Sequence, residues 1–257
     1  ANNTFTLPNG LRIIHTFSPT DVAYCGLCID AGTRDEEPQE SGMAHFIEHT
    51  VFKGTQKRKA FHILSRLDEV GGELNAYTTK EETVVHAAFL KEYFERAVEL
   101  ITDMVFCSTF PERELAKEKE VIADEITSYK DTPSELIFDD FEELLFPHDT
   151  LGHNILGTVD SIASFSAEKV RNFIGNKYNT EQIVMSVHGN LEWRNIVRIA
   201  EKYLGKIAVN KRTWQRQTPE LRPRFSETVA KGTNQAHVVI GNVAPSTFDT
   251  RRLPMFM

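Results

Sequence analysis

The stretch Gly42-Met43-Ala44-His45-Phe46-Ile47-Glu48-His49 constrains the fold more than any other part of the chain. His45 and His49 stand four apart. In a helix, positions four apart lie one above the other, so both rings can address a single point. Glu48 is three residues beyond His45 and borders the same face. Two neutral imidazoles aimed at one point supply two thirds of the ligands of a catalytic zinc site. A neighbouring carboxylate that is not a ligand is what activation of a zinc-bound water requires. Such a short pattern also arises by chance, so the reading needs a third ligand from elsewhere in the chain.

The chain has 257 residues, enough for one large domain or one domain with part of another. A net charge of -8 argues against a sequence-independent hold on nucleic acid, which needs basic surface to displace counterions. No apolar run approaches the roughly 20 residues that span a bilayer, and the amino terminus lacks the pattern of a secretory signal. The expectation is a soluble, cytoplasmic protein without a membrane partner, although Ala1 in first position leaves room for a removed targeting segment. Three cysteines do not describe a disulfide framework. Cys25 and Cys28 have C-x-x-C spacing but fall in a strand-like run, where positions three apart point to opposite faces, so they read as packing residues.

Taken in order, residues 4–17 read as two strands around Pro8-Asn9-Gly10, with Asn-Gly supplying a tight hairpin turn. Residues 22–31 form a largely apolar strand. The polar loop Gly32 to Pro38 follows, and Ser41 can cap the helix that carries the histidines and stops near Gly54. A second helix, about 60–70, puts Phe61, Leu64 and Leu67 on one face and ends at Gly71-Gly72. Residues 73–79 and 83–89 make a hairpin whose first strand is mostly polar, as suits an edge strand open to solvent or to an added peptide. Helices are expected at 92–106, 111–129 and 134–146, then a loop-rich stretch at 147–165. Its His148 and His153 are five apart, off any helical face, and read as surface residues. A helix at 167–176, a strand at 182–188 and a helix at 191–204 complete the pattern. The fold class is α+β, an antiparallel sheet covered by helices.

Residues 1–205 therefore read as one domain and 206–224, with Pro219 and Pro223, as a linker. The run Gln235 to Ala244, followed by a polar stretch and Met255-Phe256, repeats the order of elements at 22–46. It suggests that 225–257 begins a second, similar domain that is cut short.

The helix starting at Pro111 offers Glu112, Glu114, Glu118, Glu120, Asp124 and Glu125 as candidate third ligands. Most read as a solvated face. Glu118 and Glu125, however, are seven apart, two turns along one face, and share it with Ile122. A face containing Ile122 is at least partly inward, where solvated carboxylates are not expected.

The order H-x-x-E-H is the inverzincin signature. At this point the chain resembles the pitrilysin family of zinc peptidases, in the branch close to the mitochondrial processing peptidase beta subunit and its bacterial relatives. The resemblance rests on Asn9-Gly10-Leu11-Arg12, Ala31-Gly32-Thr33-Arg34-Asp35-Glu36, Gly42 to His49 with Phe52-Lys53-Gly54-Thr55, and Gly71-Gly72 followed by Asn75-Ala76-Tyr77-Thr78. The paired Glu118 and Glu125, with the spacing from His49 to Glu125, complete it.

The resemblance implies that His45, His49 and Glu125 bind Zn2+ and that Glu48 is the general base. It places Glu118 among the catalytic residues as a support outside the metal's own ligands, and Asn75 and Ala76 on the strand that pairs with substrate. The implied function is zinc-dependent endopeptidase action on an extended peptide or unfolded protein, with a second half-chain or homologous subunit as partner. The competing class is a non-catalytic partner subunit of a processing-peptidase-like complex, or an inactive fragment of the peptidase. Such subunits typically lack parts of the zinc motif, and this chain lacks none.

Overall fold

A computed structural model describes residues 2–232 and 234–255. The strands β1 (Asn2–Thr6), β2 (Arg12–Phe17) and β3 (Val22–Ile29) come first. They are followed by helices α1 (Met43–Thr50) and α2 (Ala60–Asp68), then the hairpin β4 (Glu73–Thr78) and β5 (Thr83–Leu90). Helices α3 (Phe94–Cys107), α4 (Glu112–Lys130), α5 (Pro133–Leu145), α6 (Val159–Ala163) and α7 (Ala167–Lys177) precede β6 (Ile183–Gly189) and α8 (Trp193–Tyr203). A last short helix, α9, spans Arg252–Met255. Among the described residues, no helix is long and apolar enough to cross a membrane.

The six strands form one sheet in the order β1-β2-β6-β3-β5-β4. Neighbours are antiparallel, as expected, except that β2 and β6 run parallel. A parallel pair needs a long crossover connection, and nearly the whole domain lies between these two strands. One face of the sheet is apolar: Ala23, Cys25, Leu27 and Ile29 of β3 alternate inward beside Ile183, Met185 and Val187 of β6 and Val85, Ala87 and Phe89 of β5. Against it pack the buried stripes of α3 (Phe94, Ala97, Val98, Ile101, Met104) and α8 (Ile196, Ile199, Ala200). Alternation thus separates the two nearby cysteines: Cys25 is buried, which pushes its thiol up to about 12, and Cys28 faces the other side, half-buried.

Three local expectations are corrected. The turn between β1 and β2 is wider than a two-residue hairpin, because Leu7 donates to the Leu11 carbonyl and only Gly10 takes a positive φ (93°). Asn9 is drawn inward, its amide donating to the carbonyls of Leu204 and Ile207, so its polar atoms anchor the end of α8. In α2 the buried stripe is Ile63 and Leu67, while Phe61 and Leu64 are 73% and 55% exposed. A bridge between Gly54 and Lys59 precedes that helix, whose four-apart pair Ile63 and Leu67 packs inward where the helix meets β4 and α3. Finally, no strand forms among the described residues of 234–244, and Ile240 is 93% exposed. Phe256 lies outside the described residues. The stretch expected as a linker has no regular elements, yet Arg212 and Arg216 tie it to the domain through Asp30 and Asp35.

The loop leaving α1 is fixed by a buried polar cluster. Asp103 of α3 accepts from Thr55 Oγ1 (2.7 Å) and Arg58 Nη1 (2.6 Å), and Arg58 also reaches both oxygens of Glu99. The Asp103 side chain is 2% exposed, so removing Arg58 leaves a buried carboxylate without its cation. Arg58→Ala is expected to lower stability by about 3 kcal/mol, read from the urea midpoint in the presence of a chelator.

Candidate metal centre

Helix α1 buries Met43, Ala44, Phe46, Ile47 and Thr50 and so presents its remaining face, with the histidines, toward α4. Its amino terminus is not capped by Ser41. The first residue before the helix is Gly42, in the left-handed region at φ 89°, and no side chain of that residue or of Ser41 meets the free N–H groups. Instead Glu36 bridges them, accepting from Gly42 N (2.8 Å) and Ala44 N (2.9 Å). A hydroxyl reaches one donor, whereas the two oxygens of a carboxyl group span two. Glu36 is buried, which pushes its carboxyl up to about 8 against the pull of those two donors.

Helix α4 supplies the opposing wall. Leu115, Ile122 and Ile126 fix its inner face, and Glu118 is buried with them, whereas Glu112, Glu120 and Asp124 are exposed. Glu125, two turns after Glu118, is partly exposed at the mouth of the site.

The side chains meet at one point. His45 Nε2 lies 3.8 Å from Glu125 Oε1 and His49 Nε2 lies 3.5 Å from Glu125 Oε2. The two rings sit edge to face with centroids 4.6 Å apart. One candidate ligand atom from each of His45, His49 and Glu125 falls within 4.8 Å of the other two. Ligand atoms of a tetrahedral zinc at ~2.0–2.1 Å are separated by about 3.3 Å, so the three residues can hold a metal with small adjustments. Burial, with His49 as a lesser influence, lowers His45 to about 4 and keeps its imidazole neutral, the form that ligates. His49 directs Nδ1 to Glu118 Oε2 at 3.2 Å. With Nδ1 donating to Glu118, Nε2 is the nitrogen left free to ligate.

Glu48 lies on α1 outside this triangle. Burial raises its carboxyl, opposed by hydrogen bonding from Thr78 and by the charge of His49. Thr78 ends β4, and its hydroxyl donates to the Ala44 carbonyl at 3.4 Å. Asn75 and Ala76 lie on β4, the last strand of the sheet, opposite His86 and Val85. Ala76 is buried on the helix side, and its N–H donates to Asn75 Oδ1 at 2.8 Å. His148 and His153 are exposed and take no part.

Two contributors were not singled out from the sequence. Lys53 Nζ meets Glu118 Oε1 at 2.6 Å and neutralises that carboxylate while it holds His49. Lys53 stands four residues after His49, and extending the four-residue spacing would have found it. Glu36 gave no local signal, because it acts on the helix across an irregular turn.

Comparison with known proteins identifies the family of the chain. A family profile described as Insulinase (Peptidase family M16) matches residues 12–159, and one described as Peptidase M16 inactive domain matches 164–256. The uncharacterized zinc protease YmxG of Bacillus subtilis is 36% identical over 92% of this chain and 58% of its own length. The beta subunit of the mitochondrial-processing peptidase of Saccharomyces cerevisiae is 34% identical over 79% of this chain and 44% of its own. Among solved structures, a protease from Helicobacter pylori superposes with a TM-score of 0.79 at 22% identity, over 86% of this chain and 54% of that one, and shares the fold. The chain therefore belongs to peptidase family M16, in line with its resemblance to pitrilysin-family zinc peptidases. It spans about half the length of the curated relatives it matches.

The Glu118 contact predicts the tautomer of His49. In the metal-free protein at alkaline pH, nitrogen-15 correlation spectra should show the His49 proton on Nδ1. In Glu118→Ala it should redistribute toward Nε2.

Proposed function

We propose that this chain is the metal-bearing part of a zinc-dependent endopeptidase that cleaves extended or unfolded peptides. The observation that carries the reading is the convergence of His45, His49 and Glu125 on one point, with Glu48 beside it and outside the ligand set. The names of the relatives, zinc proteases and a processing-peptidase subunit, support it.

His45, His49 and Glu125 would hold the zinc. Bound there, zinc supplies a Lewis acid that polarises a peptide carbonyl and acidifies a water molecule. Glu48 would accept a proton from a water molecule as the water oxygen bonds to the carbonyl carbon. It then delivers the proton to the departing nitrogen as the carbon–nitrogen bond breaks. A carboxylate whose pKa is raised by burial suits both halves of this exchange. Glu118 and Lys53 hold His49 in the tautomer that faces the centre.

We assign Asn75 and Ala76 to substrate. The reading rests on the position of β4 at the sheet edge and on its attachment to α1 through Thr78. An extended peptide pairing with β4 gains main-chain hydrogen bonds that are largely indifferent to side-chain identity. A pairing strand would compete with the Asn75 side chain for the Ala76 N–H. We further propose that residues 225–257 begin a second domain, and that a second half, covalent or a homologous subunit, closes over the site. The chain's span of about half its relatives supports this.

Metal analysis and cleavage of a quenched extended peptide test the assignment together. Glu48→Gln is expected to keep stoichiometric zinc and lose about 10²–10⁴-fold in turnover. Full cleavage by this variant would sink the mechanism. Glu125→Ala is expected to lose zinc through dialysis while retaining its far-ultraviolet circular dichroism. Zinc retained at wild-type stoichiometry would remove Glu125 from the ligand set.

A further inference from the structure

Residues 206–217, which the sequence presents as part of a linker, are bound to the turn that carries the cap of α1. Arg216 grips Asp35 with two bonds, Nε to Oδ1 at 2.8 Å and Nη2 to Oδ2 at 2.7 Å. Its remaining donors reach Asp30 Oδ1 and the Glu81 carbonyl, each at 2.7 Å. The Asp35 side chain is 1% exposed, and its Oδ2 also accepts from Gly32 N at 3.0 Å. The next residue is Glu36, whose carboxylate holds Gly42 N and Ala44 N, one position before His45.

We propose that Arg216 is a positioning residue for the metal centre: by clamping Asp35 it fixes the turn at 32–36, and through Glu36 it sets the first turn of the helix that carries His45 and His49. The inference rests on the zinc reading of this site.

The turn has little slack on its other side. Gly32 lies so close to the β4–β5 connection that an added Cβ would stand 2.5 Å from Thr79 O and 2.6 Å from Lys80 O. Arg34 of the same turn also donates to the strap at Gln217 O (2.6 Å) and pairs with Glu81, so losing Arg216 removes the grip on Asp35 itself and leaves that buried carboxylate without its cation. A buried carboxylate without a cation moves toward water, and that loosens the turn. Met43, Ala44, Phe46 and Ile47 keep α1 in the core whether or not the turn is held. What changes is the fine setting of the helix, and ligand distances tolerate only ~0.2 Å.

The test measures zinc affinity by competition with a chromophoric chelator, and melting in excess chelator, for the chain described here. Arg216→Ala is expected to weaken zinc binding ~10-fold, the low end of the effect of removing a group bonded directly to a metal ligand, because Arg216 acts through Glu36. Arg216→Lys keeps the charge without the bidentate grip and should fall between the two. Arg212→Ala removes a neighbouring strap contact, to Asp30, without touching Asp35, and should keep wild-type affinity. A purely structural role would lower the melting temperature of Arg216→Ala and leave the zinc affinity of the folded protein unchanged, which overturns the proposal. So would an equal loss of affinity in Arg212→Ala. If Arg216→Ala does not fold, wild-type affinity in Arg216→Lys overturns it instead. Failure of the unaltered chain to bind zinc would refute the proposed function itself, an outcome distinct from binding that is indifferent to Arg216.

Discussion

Everything at this site depends on one geometric fact, that residues four apart on α1 bring His45 and His49 to the same point. A helix of eight residues has little stability of its own, so its placement has to come from its surroundings. Burial of Met43, Phe46 and Ile47 holds the back of the helix, Glu36 holds its amino terminus and Thr78 holds β4 against its Ala44 carbonyl. Helix α4 then needs only two inward carboxylates. Glu125 joins the histidines, and Glu118 reaches behind His49.

The electrostatics follow from the same packing. Burial keeps His45 neutral, the form that ligates, and raises the carboxyl of Glu48, the group placed to exchange a proton. Two of the buried carboxylates have cations: Lys53 answers Glu118, and Arg216 answers Asp35.

Much of this was legible in the sequence because it rests on short-range periodicity. The four-residue spacing of His45 and His49, the seven-residue spacing of Glu118 and Glu125 around Ile122, and the polar edge strand at Asn75 each encode a direction in space. Other features do not. The inward stripe of α2 could be drawn through Phe61 and Leu64 or through Ile63, and it is settled by packing against β4 and α3, which the local pattern does not specify. Ser41 fits the local pattern of a cap, but Glu36 wins through a bent turn that no periodicity describes. The parallel pairing of β2 with β6, and the clamp of Arg216 on Asp35, join residues far apart in the chain. Their partners become visible once the sheet is closed.

The central claim is that His45, His49 and Glu125 hold a single zinc, with Glu48 outside its ligands. Anomalous diffraction at the zinc edge from crystals of the zinc-loaded protein tests it most directly. The account predicts one strong peak, ~2.0–2.2 Å from both histidine Nε2 atoms and a Glu125 oxygen, with Glu48 not bonded to it. A peak coordinated by Glu48 in place of Glu125, or one at Cys25 and Cys28 with none between α1 and α4, would contradict it.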